Sequence, residues 1–190
     1  MAQKKIVVVM GSPRKNGNSV TLAERAIAGA EEAGAKVDAY FIQSLDARPC
    51  SACDGCQAEM DDPCVIDDDL SEVLEKARVA DALIIASPIY WFNLSAQTKL
   101  FIDRWYSFGG GGDGKYALAG KELGLIMTYA DPDPLASGAM NALRSLQDAF
   151  RFVGGTIKGV VHGVAYEAGE IKSNGALLEK SYSLGKTLAS

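Results

Sequence analysis

The feature that most constrains this chain is a rhythm. Short apolar runs rich in β-branched residues alternate with segments whose apolar residues recur at helical spacing, from one end to the other. Lys5 to Met10 is such a run, closed by Gly11, and predicts a buried strand. Leu22, Ala23, Ala26, Ile27 and Ala30 then follow a 3.6-residue period, with Asn18 or Ser19 placed to cap the helix and Gly34 to end it. The same reading predicts strands over 36–42, 81–87, 122–128 and 156–166, and helices over 68–79, 94–107, 135–153 and 174–189. Near-continuous apolar strands require cover on both faces, so five strands and five helices predict an α/β, doubly wound five-stranded parallel sheet, flavodoxin-like, with strand order 2-1-3-4-5. No repeat or linker interrupts the 190 residues, which predicts a single domain carrying a long irregular loop at about 43–67.

Composition narrows the function. Hydrophobic residues are 48% of the chain and charged residues 23%, which excludes a disordered chain. Nineteen basic against twenty-four acidic residues give a formal charge of -5, which argues against nucleic acid as a partner and against a basic patch for anionic lipid. The apolar runs are too short to span a bilayer, and the chain enters its first strand without a leader-like apolar region, which predicts a cytoplasmic protein outside the membrane.

In a doubly wound sheet ligands bind beyond the carboxyl ends of the strands, which directs attention to 11–19, 88–93 and 129–133. The first of these, Gly11 to Ser19, holds two glycines, the short donors Ser12, Asn16, Asn18 and Ser19, and the cationic fork of Arg14, all at the start of a helix. That is the composition of an anion site. It is not G-x-G-x-x-G, so a dinucleotide fold is not indicated.

With these residues in view, Gly11-Ser12-Pro13-Arg14 and Gly17-Asn18-Ser19 resemble the phosphate loop of the NADPH-dependent FMN reductase and iron–sulfur flavoprotein superfamily. Ser87-Pro88-Ile89-Tyr90-Trp91 is similar to its second flavin loop, and Ser95, Lys99 and Phe101 to Arg104 to the helix that follows. The resemblance implies FMN, with Ser12, Arg14, Asn16, Gly17, Asn18 and Ser19 around its phosphate. Pro88, Ile89, Tyr90, Trp91 and Asn93 would lie along the ring, and Thr128, Tyr129, Ala130 and Asp131 would close the other side. Asp131 also reads as a turn residue before Pro132. The implied activity is electron transfer from NAD(P)H to a quinone, flavin or similar small acceptor, in a homodimer or homotetramer. Two other readings are an electron carrier of the flavodoxin kind and a thiol redox sensor that merely keeps the fold.

Cys50, Cys53, Cys56 and Cys64 are all the cysteines of the chain and fall within one short stretch. Their spacing resembles the compact motif of iron–sulfur flavoproteins, which implies a [4Fe–4S] cluster fed by a ferredoxin-like donor. Zinc, a redox dithiol and inert thiols remain open beside it. Gly109 to Lys115 mimics a Walker loop, but Tyr116 stands where a magnesium-binding hydroxyl belongs and the segment follows a helix, so it is read as a lid or interface loop, with a plain disordered surface segment equally open. His162, the only histidine, lies mid-strand and reads as structural.

Overall fold

The computed structural model describes residues 3–57, 63–109 and 116–190. Strands β1 (Lys5–Met10), β2 (Lys36–Phe41), β3 (Ala82–Tyr90), β5 (Glu122–Tyr129) and β6 (Thr156–Val164) form a parallel sheet in the order β2-β1-β3-β5-β6. The two-residue β4 (Asn93–Leu94) folds back antiparallel on β3. Apart from β4, the spatial order is the one expected from the sequence.

Alternation within a strand divides the core. Ile6 and Val8 of β1 face one side, where helices α1 (Asn18–Glu32) and α5 (Gly175–Ala189) add Leu22, Ala26, Leu184 and Leu188. Val7 and Val9 face the other, where α2 (Leu70–Val79), α3 (Ala96–Asp103) and α4 (Ala139–Phe152) bring Leu74, Phe101 and Phe150. Residues covered on both faces cannot alternate with polar ones, which is why β1 and β3 read as unbroken apolar runs. No helix among the described residues is long and apolar enough to cross a membrane.

Two of the later helix starts have a visible cause. The helix expected over 94–107 is divided into β4, α3 and a 3-10 turn at Arg104–Phe108, because Asn93 and Leu94 pair with Tyr90 and Ile89 and the Ser95 side chain caps α3 by accepting the Thr98 N–H. The helix expected from 135 starts at Ala139, because Gly138 before it has a φ of 81°, outside the helical range. Likewise Gly17, not Asn18 or Ser19, is the N-cap of α1, and no side chain caps that helix. The Walker-like stretch lies, apart from Gly109, outside the described residues; Gly109 itself bridges to Tyr116.

Candidate functional site

The carboxyl ends of β1, β3, β5 and β6 open into a cavity of about 370 Å³. Its first wall is the loop after β1. Backbone bonding fixes this loop: the Gly11 N–H donates to Ala86 O at 2.8 Å, and the Ser95 hydroxyl donates to Gly11 O at 2.6 Å. The Ser12 hydroxyl donates to Arg14 O and accepts the Arg14 N–H, both at 3.1 Å. A Cβ on Gly17 would stand 2.5 Å from the Ser12 hydroxyl and 2.9 Å from Arg14 O, so the loop closes only around glycine there. At the uncapped start of α1, the buried Ser19 hydroxyl has no hydrogen-bond partner. Arg14 is exposed and lines the same cavity.

The second wall is the end of β3. Pro88, Ile89 and Tyr90 line the cavity, and the chain then reverses through Trp91 and Phe92, whose φ angles are 46° and 64°. Two left-handed residues between paired strands make the tight turn that matches strand twist, a place usually held by Asn or Gly. Aromatic residues there cost about 1–2 kcal/mol each. The turn is braced from behind: a Cβ on Gly138 would stand 2.3 Å from Phe92 Cα, and the Asn141 side chain donates to Phe92 O at 3.4 Å.

Thr128, Tyr129 and Ala130 form the third wall. The Tyr129 hydroxyl lies 2.6 Å from His162 Nδ1 on the neighbouring strand. Burial, and then the charge of Asp133, push the Tyr129 phenol above its usual value. His162 thus serves as the partner of a cavity-wall phenol rather than as an isolated core residue.

A fourth wall, Ala165 to Ala168, is absent from the sequence reading. Its place follows from β6 ending at the same edge of the sheet as β1, and Asn18 ties it down. The Asn18 side chain donates to Glu167 O at 2.9 Å and accepts the Ile171 N–H at 3.2 Å. Asn18 therefore braces the wall with both ends of its amide. Ser12, Arg14, Gly17, Asn18, Ser19, Pro88, Ile89, Tyr90, Thr128, Tyr129 and Ala130 line this cavity together; Asn16 and Asn93 do not line it, and Trp91 and Asp131 line a neighbouring one.

The cysteine loop is built differently. Its mouth is clasped by Arg104, whose Nη1 donates to Arg48 O at 3.0 Å and to Asp68 Oδ2 at 2.9 Å, and whose Nη2 donates to Ile66 O at 3.1 Å. The Arg104 and Asp68 side chains are 0% and 4% exposed, so this ion pair is desolvated. Burial pushes the Asp68 carboxyl up, but hydrogen bonds from Arg104 and the Arg48 N–H, with the Arg104 charge, outweigh it and hold the carboxyl below its usual value. Farther along, the Tyr106 hydroxyl donates to Asp54 and the Gln57 side chain donates to Tyr106 O.

Within the loop Cys53 is exposed, Cys56 buried, and Cys50 and Cys64 half-buried, all as free thiols. Ala52 and Asp54 take φ angles of 52° and 58°, and the Ala52 N–H points to Cys50 Sγ at 3.5 Å. Hydrogen bonds from the Gly55 backbone and then Ser51 hold the Cys53 thiol below its usual value, against burial and the charge of Asp54. Among the described residues no three His, Cys, Asp or Glu side chains gather as a metal site would require. Cys53 turns to solvent, while Cys56 is buried with the Gln57 amide on its sulfur, so this arrangement does not fit a cluster.

The model of the NADPH-dependent FMN reductase family matches residues 4–166. The chain is 43% identical over 100 residues to the iron–sulfur flavoprotein of Methanosarcina thermophila, covering 53% of this chain and 51% of that one. It is 31% identical over 174 residues, 88% of each chain, to a Bacillus subtilis protein provisionally named an NAD(P)H-dependent FMN-containing oxidoreductase. Among solved structures, the Trp repressor binding protein from Bacillus subtilis superposes with a TM-score of 0.69 at 28% identity, covering 94% of this chain and 98% of that one. The alignments span about half to three-fifths of the length of three iron–sulfur flavoproteins that the chain matches.

Proposed function

The chain belongs to the NADPH-dependent FMN reductase family, and from that premise we propose that its first cavity holds FMN and that the protein moves electrons from NAD(P)H to a small quinone, flavin or similar acceptor. The observation that carries this reading is the unpartnered, buried Ser19 hydroxyl at the uncapped start of α1, facing a loop that also supplies Arg14. Buried hydroxyls are seldom left without a partner, and a helix start with free amides favours a phosphate. Ser12 and Gly17 shape the loop, Arg14 and Ser19 meet the charge, and Asn18 fixes the fourth wall. Ile89, Tyr90 and Tyr129 give a flat ring apolar surfaces. Bound FMN supplies the redox chemistry itself, accepting electrons from the nicotinamide and passing them on. The chain's own task is to bind, orient and desolvate, so no side chain is assigned as acid or base.

The whole of residues 1–190 acts in this reading as one FMN-binding domain of the cytoplasm. Exposed apolar side chains such as Leu135 and Tyr166 support a homodimer or homotetramer that covers them. Replacing Arg14 and Ser19 together by Ala removes charge-assisted bonds worth about 1.5–3 kcal/mol each. FMN affinity, followed by quenching of flavin fluorescence, then falls more than tenfold while riboflavin, which has no phosphate, loses little. Equal FMN binding by the double variant places the site elsewhere. Steady oxidation of NADPH with a quinone separates an enzyme from an electron carrier.

A second reading is that the cysteine loop takes a [4Fe–4S] cluster and exchanges single electrons with a ferredoxin-like partner. It is favoured by the cysteine spacing, by the donor on Cys50 Sγ and by the names of the relatives, and it requires the loop to rearrange from the arrangement described. Iron and sulfide analysis of anaerobically purified protein decides it: about four irons per chain support the cluster, and none after reconstitution leaves four thiols.

A further inference from the structure

A second cavity, of about 300 Å³, lies beside the first and shares Ile89, Tyr129 and Ala130 with it. Trp91 and Phe92 add aromatic surface, and Asp131 stands on its lining. We propose that this cavity seats the electron acceptor and that Asp131 makes it selective for flat rings that are uncharged or cationic over anionic ones. The proposal deepens the reading of the first cavity as the FMN site and rests on it.

Three features carry it. First, the shared residues place a ring in the second cavity against the same side chains that wall the first, the adjacency that electron transfer between two bound rings requires. Second, the charge is one-sided. Arg14 lines the first cavity, whereas no Lys or Arg among the described residues lines the second. The Ser137 hydroxyl there is engaged, donating to Pro134 O at 3.0 Å and accepting the Ala139 N–H at 3.2 Å. Asp131 Oδ1 accepts the Asp133 N–H at 2.8 Å, and Asp133 adds a second carboxylate next to the first. An anion entering there meets negative charge and little to bind it, while a neutral ring meets aromatic surface and a cation is attracted. Third, the aromatic wall is held in place. Trp91 and Phe92 stay in left-handed conformations because Gly138 and Asn141 of the α4 start brace the Phe92 backbone. Strained backbone that the surroundings hold fixed is typical of ligand sites.

The test uses three probes that share one ring and differ in charge: 4-nitrobenzylamine, 4-nitrobenzamide and 4-nitrobenzoate. Each is equilibrated by dialysis with the FMN-loaded protein at pH 7, after an FMN titration has established loading. The expected order is amine and amide ahead of carboxylate, with the amide bound about threefold to tenfold tighter than the carboxylate, the scale of one or two solvent-facing charges a few ångströms away. In Asp131→Asn the amide-to-carboxylate ratio narrows at least twofold. Because the ratio is read, any change in FMN loading cancels. Equal binding of amide and carboxylate by the parent, an unchanged ratio in the variant, or no binding of any probe at millimolar concentration to FMN-loaded protein overturns the proposal. Failure of the FMN titration itself instead removes the reading on which it rests.

Discussion

The first loop and the cysteine loop are both irregular, both rich in polar groups and both placed at the carboxyl edge of the sheet, yet they are built in opposite senses. In the first loop the backbone is tied at Gly11, Arg14 and Gly17 while the donors at its helix end are left open: Ser19 has no partner and α1 has no side-chain cap. At the mouth of the cysteine loop the reverse holds. Arg104 is matched on both terminal nitrogens, with only its Nε left over, and the Asp69 carboxylate and backbone N–H are matched by Asp46. The difference teaches how to read polar loops. Unmatched donors on a fixed backbone mark a place prepared for something else, whereas matched ones mark a loop that holds its own shape.

The sharpest way to break this contrast is to cut the clasp. Arg104→Met leaves Asp68 desolvated and unpaired, and losing one partner of a buried pair costs about 3–5 kcal/mol. Urea unfolding should show that loss, while FMN affinity per folded molecule changes less than twofold; a tenfold fall in affinity would join the two loops into one unit. A smaller effect is expected at the first loop. Gly17→Ala forces a Cβ against the Ser12 hydroxyl and the Arg14 carbonyl, an overpacking change costing about 1–3 kcal/mol of stability, and here FMN affinity should fall with it. Stability lost with affinity intact would mean that the loop's shape is not needed for binding.

Acid probes the clasp more gently. The Asp68 carboxyl is held below its ordinary value in the folded chain, so its contribution is complete above the unfolded value of about 3.9 and is lost as pH falls through the lower folded value. Urea midpoints of the parent should decline across that acid range, and Asp68→Asn should flatten this part of the profile. The least costly probe reads the thiols. Cys53, exposed and held toward its thiolate, should be alkylated at least tenfold faster than buried Cys56, as followed by peptide mass spectrometry. Equal rates would show that the clasp does not order the cysteines it encloses.

Much of the fold is legible in local pattern because β1 and β3 are covered on both faces and announce it in unbroken apolar runs. The boundaries are less legible, since they depend on distant partners: Ser95 caps α3 only because β4 turns the chain back, and nothing in the periodicity of 94–107 signals that turn. The site divides in the same way. Ser12 to Ser19 announces itself through donor density. The wall at Ala165 to Ala168 has no such signature, and the role of Asn18 depends on contact with Glu167 and Ile171, far along the chain. The spacing of the cysteines is plain in the sequence, but their exposure follows from how the loop is held, and the clasp at Arg104 gathers partners from Arg48 to Asp68 that no local pattern links.

The aromatic turn after β3 carries a consequence for how this protein can be improved. Replacing Trp91 by Asn and Phe92 by Gly would form the same reversal without the left-handed penalty, so selection for heat resistance alone should find that pair early. The gain would come at the second cavity, which would lose its two large rings. Thermal tolerance and ring binding would then be set against each other at two adjacent positions, and a library screened only for survival on heating should enrich variants that last longer and hold flat rings more weakly.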